Sequence, residues 1–181
     1  MKTSIYIATS VDGFIARENG ELDWLPTLEE AINNEDYGYH DFITSVDALV
    51  MGRNTYESVR AFGAWPYEKK PVFVLTNQPI DIPDELTGMI ESLTASPEEV
   101  IRQLSQRGFH HLYIDGGKTI QNFLIAGLIN QLIITRVPIL IGSGIPLFGT
   151  LPGDIKLRNI KTRHFSNGLV QTNYEVLRPA P

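Results

Sequence analysis

The chain has 181 residues, of which 43% are apolar, so it can bury one full hydrophobic core and is predicted to form a single domain over residues 1–181. Its net charge of -6 disfavours nucleic acid or an anionic membrane as a partner. The absence of cysteine excludes disulfides, thiolate nucleophiles and cysteine-based metal sites. The N-terminus lacks a signal-peptide core and no apolar run approaches ~20 residues, so we expect a cytoplasmic protein.

The predicted elements begin with a buried strand at Ile5–Ala8, where the apolar run is nearly continuous. A long loop follows, and loops of this length are usually functional. Pro26 suits a helix start, and a helix is predicted from Thr27 to about Thr44, although Gly38 weakens the pattern. Further strands are predicted at 48–51, 72–75, 89–93, 112–114 and 131–137, and further helices at 56–60, at 97–107 and between 118 and 126.

The last part of the chain is predicted to be a β-hairpin, because residues 157–165 and 169–177 flank an Asn167-Gly168 turn. The residues before it, 138–149, are rich in Gly and Pro. Alternating strands and helices imply a largely parallel sheet that is covered on both faces. We therefore predict a three-layer α/β/α fold, with a mostly parallel central sheet of about eight strands and an antiparallel C-terminal hairpin.

The segment from Ile114 to Thr119 joins a buried strand to an amphipathic helix through two glycines. The first N–H groups of such a helix have no intrahelical partner, and with the helix dipole they form an anion site. Gly116 and Gly117 let a phosphate approach the backbone, and Lys118 adds a positive charge. The same glycine pair is also typical of a plain tight connection, so this motif alone leaves both interpretations open.

A second junction of the same kind follows the strand at 48–51. Here Gly52 precedes Arg53, and either Asn54 or Thr55 caps the short helix. The alternative for Arg53 is a surface ion pair. Because the carboxyl ends of parallel strands share one edge of the sheet, the two junctions are expected to bind one ligand there. Two anion-binding corners at this edge favour a dinucleotide over an isolated phosphate.

Five segments carry a set of motifs whose order and spacing cover nearly the whole chain. They are Ser10–Ala16, Met51–Ser58, Leu75–Asn77, Ile114–Gly117 and Val137–Phe148. This set resembles the dihydrofolate-reductase fold and, more narrowly, the reductase domain of riboflavin biosynthesis and its stand-alone bacterial relatives. The first and last segments point to the riboflavin branch.

The resemblance implies NADPH as the hydride donor, with Arg53 as the planar fork for the adenosine 2′-phosphate. It implies a cis peptide between Gly116 and Gly117 and a nicotinamide bordered by Ala8 and Ile15. For Thr76 and Asn77 the alternative is a plain turn before Pro79. The cofactor-binding residues implied are Ala8, Ile15, Gly52, Arg53, Asn54, Thr55, Leu75, Thr76, Asn77, Gly116, Gly117, Lys118 and Thr119.

Three residues are candidates for the catalytic step. Asp12, in the first loop, is either a proton donor or substrate contact, or a turn residue with Gly13. Glu29 lies near the position of the buried carboxylate of folate reductases, although counting from Leu25-Pro26 places Leu28 there. Its alternative is a solvated glutamate of the first helical turn. Thr135 matches a substrate-facing threonine of the family, and is otherwise an ordinary strand residue.

The implied activity is an NADPH-dependent reduction of a C=N or C=O bond in a small heterocyclic substrate. The resemblance favours 5-amino-6-(5-phosphoribosylamino)uracil, the ribosylamino-pyrimidine of riboflavin synthesis, with dihydrofolate second. A nucleotide-binding module without catalysis is the alternative from another class. The resemblance also implies a homodimer through the C-terminal strands and the Gly/Pro segment. No metal is expected, because the four histidines lack metal-ligand spacing and His110 and His111 would point to opposite faces of a strand.

Overall fold

The computed structural model describes residues 1–25 and 35–177. The strands, in chain order, are β1 (Lys2–Thr9), β2 (Phe14–Ala16), β3 (Ala48–Gly52), β4 (Val72–Leu75), β5 (Ile90–Leu93), β6 (His111–Asp115), β7 (Gln131–Arg136), β8 (Ile145–Pro146), β9 (Leu157–His164) and β10 (Val170–Val176). The α-helices are α1 (Tyr39–Ser45), α2 (Arg53–Arg60), α3 (Pro97–Gln106) and α4 (Gly117–Ile125), and a short 3-10 helix covers Asp84–Leu86. No helix in the described ranges is both long enough and apolar enough to cross a membrane.

Eight strands form the central sheet in the order β5-β4-β3-β6-β1-β7-β10-β9. All neighbours from β5 to β7 are parallel, whereas β10 pairs antiparallel with both β7 and β9. The predicted fold class is thus confirmed, including the antiparallel hairpin at the end of the chain. A separate two-stranded ribbon joins β2 in the first loop to β8 in the Gly/Pro segment.

The two faces of the sheet are buried in two separate cores, as a parallel sheet requires. On one face, Val100 and Leu104 of α3 and Ile120 and Phe123 of α4 pack against the central strands. On the other face, which we call the aromatic face, α1, α2 and the loop after α2 add aromatic side chains such as Phe42, Tyr56 and Tyr67 to the aliphatic side chains of the strands.

The first helix differs from its prediction. The part of the predicted helix at 27–34 lies outside the described residues, and α1 begins only at Tyr39. Gly38 precedes it with φ of 85°, a left-handed conformation that a helix interior does not tolerate. The glycine therefore begins α1 instead of lying within it. The start of α3 is as predicted, since Ser96 Oγ accepts a hydrogen bond from the Glu99 N–H.

Candidate active site

The predicted site segments meet at the carboxyl edge of the sheet. Met51 of β3 is the register partner of Asp115 in β6, so Gly52 and Gly116 follow on adjacent strands. On the other side of β3, Gly52 pairs with Leu75 of β4. Ala8 of β1 pairs with Thr135 of β7, so their side chains lie on the same face. The fold therefore places the predicted cofactor and substrate residues along one continuous edge.

Two helices start at this edge without a side-chain cap. The N-cap residue of α2 is Gly52 and that of α4 is Gly116, and neither glycine can supply a capping oxygen. Their first backbone N–H groups and the positive ends of both helix dipoles are therefore available to an anion. Two such helix starts on neighbouring strands suit the two phosphates of one diphosphate.

The two glycine corners pack directly against each other. A Cβ placed on Gly116 would clash with Thr55 Oγ1, in the first turn of α2. A Cβ placed on Gly52 would lie 3.2 Å from Thr119 Oγ1, in the first turn of α4. Each helix thus sets a threonine against the other helix's glycine, which explains the buried position of Thr119. This packing fixes the separation of the two helix starts.

The predicted cis peptide between Gly116 and Gly117 is wrong, since no cis peptide occurs in the part of the chain that the structure describes. The chain turns instead at Gly116, which has φ of 85° and ψ of 137°, a conformation open to glycine and costly for other residues. Gly117 is close to the first loop, because a Cβ there would lie 2.9 Å from Ile15 Cδ1. Ile15 thereby brings the first loop against the glycine corner at Gly116 and Gly117.

Arg53 is the first residue of α2 and has two partners at this edge. Its Nε donates to Glu57 Oε1 at 2.6 Å, and its Nη1 donates to Gln78 Oε1 in the loop after β4. Thr76 Oγ1 accepts a hydrogen bond from the Gln78 N–H at 3.1 Å. Thr76 therefore forms a turn before Pro79, which is the alternative to a cofactor contact. The side chains of Asn54, Asn77 and Lys118 are exposed, and their contacts with a cofactor stay predictions.

Asp12 ties the first loop to the Gly/Pro segment. Its carboxylate accepts hydrogen bonds from the backbone N–H groups of Gly142 at 2.8 Å and Ile141 at 3.3 Å. A hydrogen bond from Ser10, together with these backbone bonds, lowers the pKa of Asp12. A carboxylate that stays ionised at neutral pH is a poor acid, so this environment favours a structural role for Asp12 over proton donation.

Thr135 is buried and belongs to a hydrogen-bonded network. Gln171 Nε2 lies 3.1 Å from Thr135 Oγ1, 3.2 Å from the Tyr6 hydroxyl and 3.0 Å from the carbonyl oxygen of Tyr37. The Tyr6 hydroxyl donates to the same Tyr37 carbonyl, and burial raises the pKa of Tyr6 to about 12. The network fixes Thr135 in place on the face that also carries Ala8.

Glu29, the remaining predicted catalytic residue, lies outside the described residues.

Asp115, a carboxylic acid at the carboxyl end of β6, is a site residue that no sequence pattern singles out. Asp115 lies two residues after Tyr113 in the strand, so both side chains lie on the aromatic face of the sheet. One oxygen accepts the Gly116 N–H at 2.8 Å, and the other lies 3.4 Å from the hydroxyl of Tyr67. Burial raises the pKa of Asp115 to about 6. An Asp before two glycines is typical of a turn, and only its aromatic surroundings in the fold reveal the raised pKa.

The two neighbouring histidines have structural partners. His111 Nε2 lies 2.8 Å from Ser4 Oγ, and Nδ1 lies 2.9 Å from the carbonyl oxygen of Ser45. The backbone N–H groups of both His110 and His111 donate to Asp47. Within residues 1–25 and 35–177, no group of three or more His, Asp or Glu side chains is arranged to hold a metal ion.

Fold and site together define the class of protein, since a mostly parallel sheet with two adjacent glycine corners at its carboxyl edge is the architecture of dihydrofolate-reductase-like proteins. The sequence profile of the RibD C-terminal domain matches residues 3–171. The chain belongs to the RibD C-terminal domain family.

Three individual proteins illustrate this relationship. The crystal structure of a candidate riboflavin biosynthesis protein from Shewanella sp. PV-4 is 43% identical, with a TM-score of 0.90, covering 98% of this chain and all of the other. The uncharacterised protein YwjB of Bacillus subtilis is 38% identical over 96% of this chain and 97% of its own length. Dihydrofolate reductase HdrB of Haloferax volcanii is 28% identical over 69% of this chain and 62% of its own length. Family membership, with a reductase among the relatives, supports a reductase-type function in the riboflavin branch.

Proposed function

We propose that this protein is an NADPH-dependent reductase that transfers a hydride to a C=N or C=O carbon of a small heterocyclic substrate. The observation that carries the proposal is the contact between the corners at Gly52 and Gly116, which sets two uncapped helix starts on adjacent strands. The first backbone N–H groups of both helices would hold the diphosphate of the cofactor. When bound, NADPH supplies the hydride, and the protein supplies orientation and electrostatics.

This position of the diphosphate indicates which residues would bind the two ends of the cofactor. On one side, Arg53 and the loop after β4 take the adenosine and its 2′-phosphate, with Gly52 and Leu75 as register partners beneath. On the other side, Ala8 and Ile15 border the nicotinamide, since Ile15 packs against Gly117. Ala8 of β1 and Ile15 of β2 would thus be the residues that hold the nicotinamide.

The proton that completes the reduction comes from Asp115 in this proposal. Its carboxyl group ends β6, next to β1, and a pKa of about 6 keeps part of the population protonated near neutral pH. The Tyr67 hydroxyl orients one of its oxygens. Asp12 is the less suitable donor, because its hydrogen bonds lower its pKa.

The substrate in this proposal is 5-amino-6-(5-phosphoribosylamino)uracil or a close analogue, as in the riboflavin branch of the family. A polar ring suits a sheet face that carries the hydrogen-bonded side chains of Gln171, Thr135 and Tyr6. Dihydrofolate is the second candidate, and the sequence similarity to a dihydrofolate reductase over 69% of the chain is what favours it.

Two measurements test the proposal. NADPH and NADH are titrated against the protein by fluorescence, and the loss of nicotinamide absorbance is then followed after each candidate substrate is added. We expect micromolar binding of NADPH and turnover with the pyrimidine substrate. Turnover of dihydrofolate alone would favour the second candidate, and NADPH binding without turnover of either compound would favour a non-catalytic binding module. Absence of NADPH binding would overturn all three functions.

A further inference from the structure

The guanidinium group of Arg53 is already paired with two side chains of the protein. Its Nε donates to Glu57 Oε1, one turn further along α2, and its Nη1 donates to Gln78 Oε1. The side chains of Arg53 and Glu57 are 37% and 49% exposed, so a ligand in solution can reach both of them. One of the two partners is thus anionic and the other is neutral.

The placement of this ion pair is unfavourable for the helix itself. Arg53 is the first residue of α2, where the positive end of the helix dipole disfavours a cation. Glu57 follows Arg53 at i+4, and this order of charges stabilises a helix less than the reverse order does. The pair therefore contributes little to the stability of the helix. The positions of Arg53 and Glu57 suit a site for an anionic ligand. In the absence of that ligand, the carboxylate of Glu57 pairs with Arg53.

We propose that Glu57 weakens the selectivity of the adenosine subsite for a 2′-phosphate by competing with that phosphate for Arg53. The inference rests on the proposed function. A phosphate monoester binds a guanidinium through two parallel N–H donors, and Glu57 already occupies the Nε donor. The phosphate must either displace Glu57 from Nε or bind the remaining Nη donors close to the negative charge of Glu57. A nucleotide with a free 2′-hydroxyl has no comparable conflict, so Glu57 lowers the preference for NADPH over NADH.

The test uses Glu57→Gln, which removes the charge and keeps an oxygen that can accept from Arg53 Nε. We expect the dissociation constant of NADPH to fall about two- to fivefold, the range set by the energy of an exposed ion pair. The dissociation constant of NADH should stay within the error of the titration. Both constants are measured by fluorescence at low ionic strength, and the gain for NADPH should shrink as salt screens the charges.

Glu91→Gln is the matched control. It removes one carboxylate that pairs with Arg107 at 2.8 Å, in β5 and outside the loop after β4. This variant should leave the NADPH-to-NADH ratio unchanged, whereas Arg53→Ala should abolish the preference whether residue 57 is Glu or Gln. An equal change for both cofactors in Glu57→Gln, or no change, would overturn the role of Glu57 alone. A wild-type protein that binds neither cofactor would instead overturn the proposed function on which the inference rests.

Discussion

Asp115 and Asp47 show how two aspartates near the two ends of one strand acquire opposite properties. The carboxylate of Asp47 accepts the N–H groups of His110 and His111 before and at the start of β6, and these bonds lower its pKa. Asp115 ends the same strand among tyrosines, and burial raises its pKa to about 6. The difference arises from burial and from the supply of N–H donors, which the fold determines.

The raised pKa of Asp115 predicts a pH-dependent change in stability for Asp115→Asn. Because the folded protein binds this proton more tightly than the unfolded chain, stability is lost as pH rises from the ordinary pKa of 3.8 through about 6. The variant should therefore be more stable than wild type at pH ~8, by at most about 3 kcal/mol, and equal to it below pH ~4. Urea unfolding at several pH values measures the difference.

Asp47→Asn is the comparison for this prediction, because the expected change in stability at high pH has the opposite sign. The lowered pKa of Asp47 contributes stability above its ordinary pKa of 3.8, and that contribution disappears as pH falls. The variant should be less stable than wild type at pH ~8, with the deficit vanishing in acid. If Asp115→Asn also lost stability at high pH, its carboxyl group would not be destabilised by burial.

At the level of elements, the two glycine corners determine how α2 and α4 approach each other. Gly116→Ala should unfold at a much lower urea concentration than wild type, because it combines a positive φ with a clash against Thr55. The conformational part costs about 1–2 kcal/mol, and the clash adds about 1–3 kcal/mol.

Two other glycines separate these contributions. Gly108 has φ of 88°, and a Cβ placed there would have no atom within 4 Å, so Gly108→Ala should show the conformational cost alone. Gly52 has φ of -81°, and its Cβ would lie 3.2 Å from Thr119 Oγ1, so Gly52→Ala should show the cost of a milder contact without the conformational cost. Equal losses for Gly116→Ala and Gly108→Ala would show that the two corners are not in tight contact.

The sequence was sufficient for the elements whose local signals agree with their tertiary setting. The strands at 48–51 and 72–75, the cap at Ser96 and the Asn167-Gly168 hairpin all appear where the patterns predict them. The start of α1 was missed because Gly38 adopts a left-handed conformation that periodicity does not reveal. The cis peptide was implied by resemblance, and a positive φ at Gly116 makes the turn without it.

In the candidate site, too, the sequence pattern identifies some residues and only the fold reveals others. Glycines, Arg53 and their order along the chain identify the cofactor edge, because strand ends in a parallel sheet must share an edge. The raised pKa of Asp115, the Gln78 contact with Arg53 and the network at Thr135 depend on burial or on residues far apart in the chain, and no local pattern contains them. The contact between Gln171 and Thr135, for example, joins residues 36 positions apart.

At the scale of the whole molecule, β9 is an edge strand whose side chains are almost all exposed, including Leu157 and Ile160. An exposed edge of eight residues is a template for pairing with another strand. We propose that a second copy of the chain pairs here, which would form the homodimer that the resemblance implies. Sedimentation should give twice the chain mass of 20.3 kDa, and Ile160→Lys should give the single mass. A wild-type protein of single mass would contradict the dimer.

The central claim is that both glycine corners hold the diphosphate of one NADPH molecule. The most direct test is a nitrogen–proton correlation spectrum of the labelled protein recorded while NADPH is added. We predict that the amide signals of Gly52 to Thr55 and those of Gly116 to Thr119 shift together, with one common dissociation constant. Shifts at only one corner, two different dissociation constants, or shifts confined to other strands would contradict the claim.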